Sequence, residues 1–257
     1  MAARTEEPKV IAITGASRGI GSGLVAELAG RGHTIGCLSR KGQGPEDRDV
    51  TGNLINLVCD MEDEAQITAA LAELAQQAGR IDVLINNAGM HEECVSSELA
   101  KADFEQTLTT NITGPFVACR EVYPHMVANG GGVIINIGSF YDRLGIQRNL
   151  AYCCSKAALG ALTRSLAVEW ARDKIRVLDV APGFVSTDLN AEYMAHDSFQ
   201  AFIKRRIPIG LGRHGSPTHR LHSLVYQYHK TLLHRRVGAV TNLLRLECHH
   251  PRACSLK

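Results

Sequence analysis

Tyr152 and Lys156 stand four residues apart in Tyr152-Cys153-Cys154-Ser155-Lys156, a spacing that puts a phenol and an ammonium on one face of a helix. That pairing suits proton transfer to and from an oxygen. Reducing a carbonyl by hydride leaves an alkoxide that must take up a proton, and an ordinary tyrosine, with a pKa of about 10, is a poor acid/base near neutrality. A cation nearby stabilises the phenolate. Moving the pKa to about 7 takes roughly 4 kcal/mol of differential interaction. A Tyr-x-x-x-Lys spacing is common on helix surfaces, so the pair acquires meaning only from its surroundings.

A second chemical feature lies near the start of the chain. The apolar run Lys9–Thr14 leads into Thr14-Gly15-Ala16-Ser17-Arg18-Gly19-Ile20-Gly21, and an amphipathic helix follows. Glycines at Gly15, Gly19 and Gly21 let the backbone turn tightly and approach a pyrophosphate, whose charge is met by free N–H groups and the positive end of the helix dipole. Gly15, Ser17, Arg18, Gly19, Ile20 and Gly21 are therefore candidate cofactor contacts. The end of the next strand reads Ser39-Arg40-Lys41, with no acid to hold a ribose 2′-hydroxyl. Arginine there suits a 2′-phosphate, which a guanidinium can grip with two charge-assisted bonds. Ser39, Arg40 and Arg18 together favour NADP(H) over NAD.

These residues need a scaffold that brings them to one place. Short β-branched runs (Lys9–Thr14, Thr34–Ser39, Asn53–Cys59, Val83–Asn86, Val133–Ile137, Arg176–Ala181) alternate with segments of helical period (Gly19–Gly30, Ala65–Ala78, Asp103–Val127, Ala151–Arg172). That alternation predicts an α/β fold, a doubly wound parallel sheet of Rossmann type with helices on both faces. Pro115 predicts a kink near Gly114. The glycine loop, Asn86, Ser139 and Pro182 all follow strands, and ligands of such sheets bind outside the carboxyl ends of the strands.

With these elements in order, the chain resembles the short-chain dehydrogenase/reductase family in its single-domain form. The resemblance rests on Thr14-Gly15 with Gly19 and Gly21, Asp60, Asn86-Asn87-Ala88-Gly89, Asn111, Ser139, Tyr152 with Lys156, and Pro182-Gly183 with Thr187, spanning about residues 8 to 217. It implies a catalytic group of Asn111, Ser139, Tyr152 and Lys156. Tyr152 would be the acid/base, Lys156 would lower its pKa and bind the nicotinamide ribose, and Ser139 would bond the substrate oxygen. Asn111 would hold a water connecting Lys156 to solvent. For the cofactor it implies Asp60 at the adenine, Asn87, Ala88 and Gly89 along the cleft, and Pro182, Gly183 and Thr187 near the nicotinamide. Residues 184–206 are often a substrate lid in this family.

The chain departs from the family pattern in places. Leu178 stands where Asn is common, and Gly138 where a second small polar residue is frequent. From Thr218 to Lys257 seven Lys or Arg face a single acid, Glu247, and six of the eleven histidines lie there. Residues 1–217 are thus expected to form the dinucleotide-binding and catalytic domain. Residues 218–257 would be an atypical segment completing or replacing its last helix and strand, and a late change of reading frame is the favoured explanation.

Composition sets the remaining bounds. At 257 residues, 45% hydrophobic and 21% charged, the chain is expected to fold as one soluble domain. The formal charge of +2 argues against nucleic acid, and no run is apolar enough to span a membrane. The cytoplasm is the expected location. Eight scattered cysteines read as reduced thiols, and irregular histidine spacing gives no metal site. The sequence therefore points to NADP(H)-dependent hydride transfer between cofactor and a small carbonyl or alcohol substrate, in a homodimer or homotetramer. A 3-oxoacyl carrier-protein reductase and a sugar or polyol dehydrogenase are not separated by these residues, and a non-catalytic NADP-binding sensor or scaffold is the alternative from another class.

Overall fold

A computed structural model describes residues 7–182, together with 196, 197 and 201. Gly183, Thr187, the rest of the expected lid and the basic segment 218–257 lie outside the described residues.

Among the described residues, six parallel strands form one sheet: β1 (Val10–Thr14), β2 (Thr34–Ser39), β3 (Asn53–Val58), β4 (Val83–Asn86), β5 (Gly132–Ile137) and β6 (Ile175–Val180). Their order is β3-β2-β1-β4-β5-β6, so the chain winds outward from β1 in one direction and from β4 in the other. The reversal between β1 and β4 opens a crevice beyond their carboxyl ends. The register is regular, with Ile11 beside Val83 on one flank and Ile35 on the other. Such strands are buried on both faces, which is why β1 and β4 are wholly buried and read as continuous apolar runs rather than alternating ones.

Alternate residues of the strands feed two cores. One gathers Ala12, Leu38, Leu84 and Ile134 against α2 (Glu64–Ala78), through Ile67, Leu71 and Leu74, and against α4 (Gly114–Ala128), through Val122 and Met126. The other gathers Ile11, Ile13, Ile35 and Ile85 against Leu24, Val25 and Leu28 of α1 (Gly19–Gly30). Local signals agree with these bounds: Asp63 caps α2 by accepting from the Gln66 N–H, and Gly79 ends it with φ of 77°.

One predicted helix is divided. In place of a kinked Asp103–Val127 there is α3 (Lys101–Leu108), a π-helical turn over Thr109–Thr113, and α4, with Pro115 in the first turn of α4. Proline lacks an N–H, so it fits a first turn, where no intrahelical partner is needed. The π turn joins the two helices and contains Asn111. The long helix α5 (Leu150–Glu169) carries Tyr152 and Lys156 on its first two turns.

Candidate active site

The strand ends deliver the candidate residues to one rim. After β1, the chain turns through Gly15, with φ of 65°, and Gly19, with φ of 62°, a left-handed conformation that glycine adopts without penalty. A Cβ on Gly21 would stand 2.1 Å from the Gly15 carbonyl oxygen and 2.6 Å from Asn87 Nδ2, so only glycine fits. Asn87 clamps the loop, donating to the carbonyls of Thr14 at 3.0 Å and Gly15 at 3.1 Å. The Thr14 hydroxyl in turn accepts from the Asn87 and Ala88 N–H groups. Helix α1 opens on Arg18 with no side-chain cap and no acid in its first turn, which leaves N–H groups and the dipole's positive end for an anion. This cradle fits a pyrophosphate.

The candidate 2′-phosphate residues lie alongside. Arg18 and Arg40 are exposed and make no ion pair among the described residues, and Lys41 reaches Glu46 only at 4.0 Å. The hydroxyl of Ser39 is engaged by its own turn, donating to the Gln43 carbonyl at 2.7 Å and accepting from the Gln43 N–H at 2.9 Å. Ser17 receives the Glu46 N–H on its carbonyl, and Ile20 packs partly on the core. Asp60, just after β3, accepts from the Glu62 N–H.

On the far side of the crevice, Tyr152, Ser139 and Lys156 converge. The Ser139 hydroxyl hydrogen-bonds the Tyr152 phenol and also accepts from the Tyr141 N–H. Lys156 Nζ lies 5.5 Å from the centre of the Tyr152 ring and donates to the Ile137 carbonyl at 2.8 Å. Asn111 is fully buried: its oxygen accepts from the Met90 N–H, and its amide donates to the Met90 carbonyl and to Ser155 Oγ. Its side chain thus ties the segment after β4 to α5. Gly89 completes the wall, where a Cβ would come within 3.2 Å of Asn111 Oδ1 and 3.7 Å of Lys156 Nζ. Pro182 is the last residue of the continuous described stretch.

Burial governs the electrostatics here. It pushes the Tyr152 phenol above its ordinary value, while the hydrogen bond with Ser139 pulls it back down. Burial also lowers the Lys156 ammonium to about 8, against an upward pull from the Asp179 carboxylate. Asp179 itself is raised to about 6, first by burial and next by Asp142, with Lys156 opposing. Both members of the Lys156 and Asp179 pair therefore shift toward their neutral forms, so desolvation outweighs their attraction.

Three residues near this site carry no signal in the motif pattern. Asp179 faces α5, where Gly160 leaves room beside its carboxylate, and its Oδ1 is buried without a hydrogen bond. A Cβ on Gly138 would stand 2.3 Å from that oxygen, so glycine replaces the frequent polar residue because the carboxylate fills its space. Asp142 shares the same corner, with Oδ2 3.9 Å from a Cβ placed on Gly160. His91 packs edge-on to Tyr152 with ring centres 4.7 Å apart. Its place just beyond the carboxyl end of β4 was the only hint available.

The short chain dehydrogenase family pattern matches residues 9–198. The chain belongs to this family. As a short-chain dehydrogenase it is an oxidoreductase, and its relatives span several substrates. It is 33% identical over 220 residues to the human 3-oxoacyl-[acyl-carrier-protein] reductase, covering 85% of this chain and 90% of that protein. It is 32% identical over 210 residues to a D-threitol dehydrogenase of Mycolicibacterium smegmatis, covering 79% of each. The crystal structure of a gluconate 5-dehydrogenase from Burkholderia cenocepacia, in complex with NADP and tartrate, superposes with a TM-score of 0.75 at 30% identity, over 86% of this chain and 89% of that one. Among the described residues no helix is long and apolar enough to cross a membrane, and the six described cysteines are free thiols.

Proposed function

We propose that this dehydrogenase interconverts a carbonyl and its alcohol with NADP(H), using Tyr152 as the proton-transferring group. The observation that carries the reading is the convergence of the Tyr152 phenol, the Ser139 hydroxyl and the Lys156 ammonium beside a glycine cradle shaped for pyrophosphate. Bound NADPH supplies the hydride. The cradle N–H groups and the Asn87-clamped loop hold the pyrophosphate, and Arg18 and Arg40, both exposed and without an ion pair among the described residues, hold the 2′-phosphate. NADP in a homologous crystal structure supports the same choice.

The residues then divide the work by geometry. Ser139 and Tyr152 hydroxyls donate to the substrate oxygen, which polarises the carbonyl and fixes its carbon. As negative charge grows on that oxygen, Tyr152 releases its proton to it. Lys156 stabilises the phenolate left behind, and its bond to the Ile137 carbonyl holds the ammonium in place. Asn111 is a positioning residue, pinning Met90 and Ser155 so that the β4 end and α5 keep their spacing. Pro182, Gly183 and Thr187 are assigned to the nicotinamide end and Asp60 to the adenine end. Residues 218–257 are assigned to the same domain, and the protein to the cytoplasm as a homo-oligomer.

A screen of ketones and alcohols followed at 340 nm with both nicotinamide cofactors tests the function. Turnover with NADP(H) at least tenfold more efficient than with NAD(H) is expected, and no turnover of either substrate class would refute it.

A further inference from the structure

We propose that His91 selects the substrate, and that it selects a carbonyl or alcohol bearing a hydroxyl on the neighbouring carbon, as in a hydroxy ketone or a polyol. The inference rests on the function proposed above and narrows it to one substrate class. It starts from Asn149, which is buried at 3% exposure where α5 begins. Asn149 Nδ2 donates to the Gln147 carbonyl at 2.8 Å, which fixes the amide orientation and turns Oδ1 away from that carbonyl. Oδ1 meets Nε2 of His91. An amide oxygen only accepts, so Nε2 carries the proton, and in the neutral ring Nδ1 is left with a lone pair.

That nitrogen makes no hydrogen bond among the described residues, and His91 is exposed, five residues past the end of β4 and against Tyr152. The ring is held in place rather than free to turn. It packs edge-on to Tyr152 at 4.7 Å and to Tyr141 at 6.4 Å between ring centres, and Tyr141 packs on Tyr152 at 5.7 Å. Through this contact the imidazole borders the phenol that binds the reacting oxygen. A group on the next carbon of the substrate therefore meets a fixed acceptor. A hydroxyl can donate to it. A 3-oxoacyl thioester carries a methylene on that carbon, which has no hydroxyl to donate, so the same nitrogen distinguishes the two readings that the sequence left open.

The test compares kcat/KM of the full chain, with NADP(H), for a hydroxy ketone such as dihydroxyacetone, a plain ketone such as 2-butanone, and a 3-oxoacyl thioester such as acetoacetyl-N-acetylcysteamine. The readout is the ratio between substrates, so a loss of rate common to all three cancels. The native chain is expected to favour the hydroxy ketone at least tenfold over both others. His91→Leu should bring that ratio to within about threefold of unity, and His91→Gln, which retains an acceptor oxygen, should restore part of it. A ratio unchanged in His91→Leu, or a native preference for the thioester or plain ketone, overturns the proposal while leaving the carbonyl reductase reading intact. Absence of turnover of all three by the native chain overturns both.

Discussion

Replacing Asp179 by asparagine tests the electrostatics beneath the site. The carboxylate has one buried oxygen without a hydrogen bond and titrates at about 6, against 3.8 for an ordinary aspartate. A folded-state pKa raised by about two units means that ionised Asp179 disfavours the fold by about 3 kcal/mol, an order-of-magnitude figure. The sign follows directly: the folded chain binds the extra proton between the two values. The penalty is thus absent below about pH 4, grows as pH rises through about 6, and is complete above it. An asparagine amide cannot ionise, so Asp179→Asn should match the native chain near pH 4 and exceed it at pH 8 by up to about 3 kcal/mol. For a chain of this size that is a rise of roughly 6–12 °C in Tm. The activity should move the other way. Asp179 supports the Lys156 ammonium, which burial already lowers to about 8, so its removal should make Lys156 lose its proton at lower pH. The alkaline limb of the kcat profile then shifts down in pH. Thermal unfolding at pH 4, 6 and 8, with a pH–rate profile of each protein, decides it. A variant less stable than the native chain at pH 8 would show that attraction to Lys156 and Arg164 exceeds the desolvation cost, and would refute the reasoning.

Tyr152→Phe retains the ring packing but removes the proton donor, so kcat should fall by about 10²–10⁴-fold in steady-state assays while NADPH binding, read by fluorescence titration, persists. Arg40→Asp should reduce the preference for NADPH over NADH by at least about tenfold in kcat/KM, because it substitutes repulsion for a charge-assisted phosphate contact. Gly21→Ala brings a methyl to 2.1 Å from the Gly15 carbonyl, and the loop must shift to admit it. Cofactor affinity should drop by about tenfold or more in the same titration. Light scattering across a dilution and salt series should find dimers more populated than tetramers, since residues 218–257 carry seven Lys or Arg against one acid and unpaired cations are costly to bury in any interface. A tetramer that survives both would exclude this.

Much of this protein was legible in its sequence because the relevant physics is local. Strand and helix periods follow from which positions are apolar, and the six strands appear where the alternation put them, as do the helices apart from the divided Asp103–Val127. The glycine cradle was legible for the same reason: a turn at φ of 65° at Gly15, and a backbone at Gly21 so close that a Cβ would stand 2.1 Å from the Gly15 carbonyl oxygen, admit one residue type. The four-residue spacing of Tyr152 and Lys156 sets them on one helix face without reference to the rest of the chain. What depended on contacts across the sequence was not legible. Asn111 spends its side chain on Met90 and Ser155, partners 21 and 44 residues away, so its amide fixes a strand end. Asp179 carries no signal and Gly138 reads only as a departure until the sheet pairs β5 with β6 and the carboxylate occupies the space glycine leaves. His91 lies 58 residues from Asn149, and only folding brings that amide to Nε2 and leaves Nδ1 open beside Tyr152. A side chain's type is written in the sequence, but which of its atoms are already satisfied is decided by neighbours that only the tertiary structure supplies.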